Sequence, residues 1–135
     1  MKTRVLDSWA ILEWMSGRQP ALDVVAKLPD EAENGQARLL MSAINVGEVY
    51  YFLKKHHEDG LAESWRDSSR TLPATIELPS GEDIWNAASL KARYPIAYAD
   101  AFAAALAQKY NCPLLTGDPE FRSVHQLELH WIGGA

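Results

Sequence analysis

Residues 3–16, TRVLDSWAILEWMS, read as a short strand, an acid at the junction and a helix. Residues 3–6 carry the apolar pattern of a strand, Asp7 stands at its end, and residues 8–16 carry a helical pattern. The same grammar continues outward from this stretch. Further strands are expected at residues 38–42 (RLLMS), 75–78, 113–116 (PLLT) and 127–132. Helices are expected at 21–27 and beyond, 43–56, 61–70, 81–93 and 98–110, with a short helical turn after Pro119. Residues 29–36, PDEAENGQ, are polar and contain Asn34-Gly35, so they read as a loop or a frayed helix end. Strands alternating with helices imply an α/β three-layer sandwich, with a mostly parallel central sheet of about five strands flanked by helices. No linker or repeat divides the chain, and residues 1–135 are expected to form one domain.

Composition narrows the function classes. With 47% hydrophobic and 23% charged residues the chain can bury a core, and its net charge of −5 requires any nucleic-acid partner to meet a local basic patch. The single Cys112 forms neither an internal disulfide nor a Cys-rich zinc site, which suits a reducing cytoplasm. No apolar run approaches the roughly 20 residues that span a bilayer. The opening MKTRVLDSW meets an acid too soon for a signal-peptide core, so a cytoplasmic protein without a membrane partner is expected.

Four acids stand in apolar surroundings: Asp7 in VLDSWAIL, Glu48 in SAINVGEVYYFL, Asp100 in YPIAYADAFAAALA and Asp118 in LLTGDPEF. Each has an ordinary explanation. Asp7, Asp100 and Asp118 can cap the helices that follow them, the last with Pro at the first helical position. Asn45 and Glu48 have capping-box spacing, but Ser42 is an equally good cap. If the helix starts at Ser42, it is apolar nearly all round, and it is expected to be buried with Glu48 as its interior charge. The caps explain positions singly. In right-handed strand-helix-strand units, helix N-termini gather where strands end, so all four carboxylates are expected at one sheet edge, where open α/β sheets bind ligands.

Buried carboxylates are costly unless paired, hydrogen-bonded or bound to a cation. Hard oxygen donors without nearby His or Cys favour Mg²⁺ or Mn²⁺ over zinc. His56, His57, His125 and His130 lie near a helix end and the C-terminus and read as surface residues. A divalent ion among acids can acidify water and stabilise charge on phosphoryl oxygens, which points to phosphodiester hydrolysis.

These four stretches, in this order, resemble the PIN-domain family, and specifically the VapC-type toxins of bacterial toxin-antitoxin pairs. VLDSWAIL is similar to the opening hydrophobic-Asp-small motif, SAINVGEVYY to the segment of the second acid, YPIAYADAFAAALA to the Asp-Ala segment, and LLTGDPEF to the Thr-Gly-Asp segment. The resemblance implies a metal-dependent endoribonuclease. Asp7, Glu48, Asp100 and Asp118 would be catalytic and hold one or two Mg²⁺ or Mn²⁺ ions, with Ser8 and Thr116 as supporting hydroxyls. It also implies an RNA substrate, a homodimer, and a cognate antitoxin seated in an apolar groove between the early helices. Trp9 is bulkier than the family's usual residue, and Asn45 stands where Thr is common.

The helical spacing of Trp14, Tyr50, Tyr51, Phe52 and Trp65 places them in the core, although some would line the implied groove. Lys54, Lys55, Arg66, Arg70, Lys91, Arg93 and Arg122 are candidates for RNA phosphate contacts or for a solvated helix face. Two other functions are open: a non-catalytic RNA-binding or scaffolding module, and phosphotransfer through an aspartyl phosphate. The second wants an acid two residues after Asp7, where Trp9 stands.

Overall fold

A computed structural model describes residues 2–134. Five strands form one sheet: β1 (Lys2–Leu6), β2 (Ala37–Ser42), β3 (Thr75–Glu77), β4 (Leu114–Thr116) and β5 (Leu129–Trp131). The order across the sheet is β3-β2-β1-β4-β5, and every neighbouring pair is parallel. The helices are α1 (Ser8–Met15), α2 (Ala21–Glu33), α3 (Ala43–Lys55), α4 (Asp59–Ser68), α5 (Gly81–Arg93) and α6 (Tyr98–Lys109). Two 3₁₀ turns, Ser69–Thr71 and Pro119–Ser123, complete the fold.

The chain builds outward from β1 to β2 and β3, then returns to the other side of β1 for β4 and β5. Right-handed crossovers laid in opposite directions place their helices on opposite faces. Strand alternation matches this division. Leu6, Leu39, Met41 and Leu115 pack with α1 to α4, whereas Val5, Leu40 and Leu114 pack with α5 and α6. The two cores give the expected three-layer sandwich, with the direction of winding reversing between β1 and β4.

Several expectations need correction. Helix α2 runs through Pro29 to Glu33 where a loop or frayed end was expected. Pro29 deprives the preceding turn of a backbone donor, but Leu28 is buried on the core side and Glu31 pairs with Arg4 of β1 at 3.2 Å. Tertiary contacts on both sides of the proline hold the helix together. Of the strand expected at 127–132, residues 127, 128 and 132 lie outside β5.

Helix α3 is not buried all round. Asn45, Val49 and Leu53 face the interior, but Ile44, Tyr51 and Phe52 are 39%, 57% and 40% exposed because no further layer covers that side. Glu48 is half-buried at the boundary. Of the five aromatic residues expected in the core, Trp65 alone is fully buried, and its indole N–H donates to the Val46 carbonyl at 2.9 Å. Trp14 is exposed and Tyr50 half-buried.

Candidate metal centre

β1 and β4 are adjacent, and their crossovers leave in opposite directions, so a crevice opens beyond their carboxyl ends. Asp7 lies at the end of β1, and Gly117 and Asp118 follow β4. Asp7 is 1% exposed. Its Oδ1 caps α1 by accepting from the Ala10 N–H at 2.9 Å, and its Oδ2 accepts from the Thr116 hydroxyl at 2.5 Å. Thr116 Oγ1 in turn accepts from the Asp118 N–H at 3.1 Å. Asp118 caps the turn Pro119–Ser123 through the Glu120 N–H at 3.0 Å. Both aspartates therefore cap and also keep carboxylate lone pairs for a further partner.

The backbone here admits no Cβ. A side chain at Gly117 would collide with Trp9 and with the Gly133 backbone, whose nitrogen would lie at 2.7 Å. The crossing of these two glycines under the Trp9 ring sets the path of the chain between Thr116 and Asp118.

Ser42 caps α3, accepting from the Ile44 N–H at 3.2 Å, which leaves Glu48 free of any capping-box role. The Ser8 hydroxyl donates to Glu48 Oε1, tying α3 to the first turn of α1. Asn45 is fully buried behind this contact. Its Nδ2 reaches Ser8 Oγ at 3.4 Å and donates to the Ala99 carbonyl at 3.1 Å, joining α1, α3 and α6. Its Oδ1 has no hydrogen-bond partner among the described residues.

Asp100 is not a helix cap. Ala97 occupies that position without a side-chain bond, and Asp100 lies inside the first turn of α6, 8% exposed. Asp100, Asp118 and Glu120 present carboxylate oxygens within 4.8 Å of one another. Glu120 was absent from the sequence-derived site. Its spacing two residues after Asp118, within a Pro-initiated turn, was the available signal. Asp7 and Glu48 stand outside this tight triad but within electrostatic reach of it.

The crowding is visible in protonation. Burial raises the Asp7 carboxyl from its ordinary 3.8 to about 7. The hydrogen bonds from Thr116 and Ala10 oppose that rise, and the charges of Asp118 and Glu48 add to it. Burial also raises Asp100 to about 8, reinforced by its contact with Glu120 and by the charges of Asp118, Glu48 and Asp7. Three hard oxygen donors converging at short range, with Asp100 among them and neighbouring Asp7 both disfavoured as bare anions, fit a divalent cation. A hollow of about 610 Å³ at the opposite sheet edge, lined by Lys2, Arg4, Glu128 and His130 among others, holds none of these acids.

An all-parallel α/β sandwich with acids gathered at its switch point defines a class of proteins equipped to hold a hard cation in that crevice. The chain belongs to the PIN domain family, whose profile matches residues 4–127. No curated protein matches it by sequence. Among solved structures it is similar in fold to Mycobacterium tuberculosis VapC20, a sarcin-ricin loop cleaving toxin. That likeness has a TM-score of 0.75 at 16% identity, covering 93% of this chain and 98% of the other. VapBC2 from Rickettsia felis, bound to a promoter DNA fragment, gives 0.72 at 18% identity over 95% and 97% of the two chains. DNA-bound VapBC from Salmonella typhimurium gives 0.73 at 13% identity over 96% and 98%.

Proposed function

We propose that this chain is a metal-dependent endoribonuclease and the toxin of a toxin-antitoxin pair, acting in the cytoplasm. The observation that carries the reading is the cluster of Asp100, Asp118 and Glu120 carboxylates beside the end of β4, with Asp7 buried at the end of neighbouring β1 and Glu48 tied to α1 by Ser8. Asp7, Glu48, Asp100 and Asp118 would hold one or two Mg²⁺ or Mn²⁺ ions, with Glu120 as an additional ligand. When bound, a divalent cation supplies Lewis-acid stabilisation of charge on the phosphoryl oxygens and acidifies the attacking water.

The protein's own groups do the positioning. Thr116 fixes the carboxylate plane of Asp7 through its hydroxyl and the backbone of Asp118 through its oxygen. Ser8 orients Glu48, and Asn45 holds Ser8 against α6. Supporting hydrogen bonds of this kind set ligand orientation and basicity. In this reading one of the acids also accepts the proton of the attacking water, and Glu48, half-buried and oriented by Ser8, would be available for it.

The partners follow from surface chemistry and from the assemblies of similar fold. An apolar cavity of about 140 Å³, lined by Ile11, Trp14, Val25, Leu28 and Pro29 among others, lies between α1 and α2 and would receive the antitoxin segment. Exposed Leu78, Ile84 and Trp85 supply apolar surface for a homodimer. Among the described residues no helix is long and apolar enough to cross a membrane.

The test is cleavage of purified transfer, ribosomal and messenger RNA by the isolated chain with Mg²⁺, Mn²⁺ or EDTA. Metal-dependent cleavage lost in Asp7→Asn and Asp100→Asn is expected. Cleavage at the wild-type rate by both variants would refute the site, and metal-independent cleavage would refute the mechanism.

A further inference from the structure

The sequence carries a net charge of −5, and its proposed catalytic edge adds a cluster of five acids. Such an edge repels the phosphates of the substrate it is proposed to cut, so binding calls for a cation fixed close beside it. The turn Pro119–Ser123 carries one. Arg122 follows Glu120 by two residues in the turn that Asp118 caps, and its guanidinium carbon lies 3.9 Å from the centre of the Trp131 ring.

Trp131 ends β5 and pairs in register with Thr116, whose hydroxyl holds Asp7. The indole is itself anchored. Its N–H donates to the Gly134 carbonyl at 2.8 Å, and its ring packs against Gly133, which abuts Gly117 beside Asp118. A continuous series of contacts therefore joins the acids to an exposed arginine.

The geometry points to Arg122, held on the face of Trp131, as the contact that holds single-stranded RNA beside the acids, with the guanidinium engaging a phosphate and the half-buried indole fixing the guanidinium in place. Stacking occupies the face of a guanidinium and leaves the N–H donors on its edge free for two phosphate oxygens. The indole also limits the rotamers of Arg122 before RNA arrives, which reduces the entropy lost on binding. Among the described residues none of the ion pairs involves Arg122. Aromatic surfaces with fixed cations are a recurring means of holding single strands without reading a defined sequence. This inference rests on the ribonuclease reading for the identity of its ligand, but its measurement does not require turnover.

The experiment is fluorescence anisotropy of the full chain in EDTA with a labelled mixed-sequence RNA of about ten nucleotides, titrated over a range of KCl concentrations. Arg122→Ala is expected to raise Kd about tenfold at ~0.1 M salt and to reduce the log Kd against log salt slope by about 0.7, one phosphate contact on a single strand. Arg122→Lys keeps the slope but loses part of the affinity, and Trp131→Leu weakens binding in a chain that still melts cooperatively. Arg18→Ala, which removes an arginine paired with Glu13, leaves both quantities unchanged.

An Arg122→Ala protein within twofold of wild type with the same slope overturns the proposal, as does a wild-type chain that does not bind the RNA. Cleavage by the wild type is scored separately. RNA binding that depends on Arg122 without metal-dependent cleavage removes the ribonuclease reading and keeps the contact; cleavage with no Arg122 dependence of binding does the reverse.

Discussion

Replacing Asp7 by Asn should stabilise the metal-free protein at neutral and alkaline pH while abolishing its activity. Asp7 is 1% exposed, and its carboxyl is raised from 3.8 to about 7, chiefly by burial. Above its ordinary value the unfolded chain has released this proton and the folded chain still holds it. Folding stability therefore falls as pH rises, by about 1.4 kcal/mol per pH unit, until the folded group also ionises near pH 7. The full penalty is about 4 kcal/mol, and the part that accrues between about pH 5 and pH 8 is about 3 kcal/mol. Asparagine carries no such penalty, keeps the Oδ1 acceptor for the Ala10 N–H, and equals aspartate as a helix cap. Asp100 titrates in the same direction in both proteins, so its contribution largely cancels in the difference.

The assay is chemical or thermal denaturation of both proteins in EDTA across this pH range. The stability difference, Asp7→Asn minus wild type, should grow by about 3 kcal/mol towards alkaline pH, or roughly 10 °C in Tm. Excess Mn²⁺ should then raise the wild type far more than the variant, because a ligand of the folded state stabilises it by mass action. A difference that does not change with pH, or that shrinks as pH rises, would refute the argument that buried charge at Asp7 opposes folding.

Other substitutions test the supporting contacts. Thr116→Val keeps the side-chain shape but leaves the Asp118 N–H without its acceptor and Asp7 without its donor; it should cost about 1–3 kcal/mol in urea denaturation and raise the Mn²⁺ needed for half-maximal cleavage. Ser8→Ala releases Glu48 and should weaken Mn²⁺ binding, measured by calorimetry, by about tenfold or more. Gly117→Ala drives a methyl into Trp9 and the Gly133 backbone and should cost about 1–3 kcal/mol, with loss of activity exceeding the loss of folded protein. Trp65→Phe removes the donor to the Val46 carbonyl between α3 and α4 and should cost about 1–3 kcal/mol with metal affinity preserved.

The alternation of strands and helices, and the lone acids at their junctions, were legible in the chain because both arise from local periodicity and from the rarity of charge in apolar runs. Asp7 and Asp118 read as caps and are caps, since capping needs only the residues that follow. Asp100 read equally well as a cap and is not one, because α6 begins at Tyr98, with Ala97 in the cap position and Asp100 inside the first turn. The exposed side of α3 was hidden for a different reason. Ile44, Tyr51 and Phe52 have core-like side chains, but whether another layer covers them depends on how many helices lie on that face of the sheet.

Strand and helix patterns repeat over a few residues, so the α/β sandwich and the order of the four acids can be read along the chain. Only the packed fold shows that the sheet reverses its winding between β1 and β4, that Glu120 meets Asp100, and that Asn45 ties three helices behind Glu48. Those are contacts across tens of residues, and no local pattern encodes the distance at which two such groups meet.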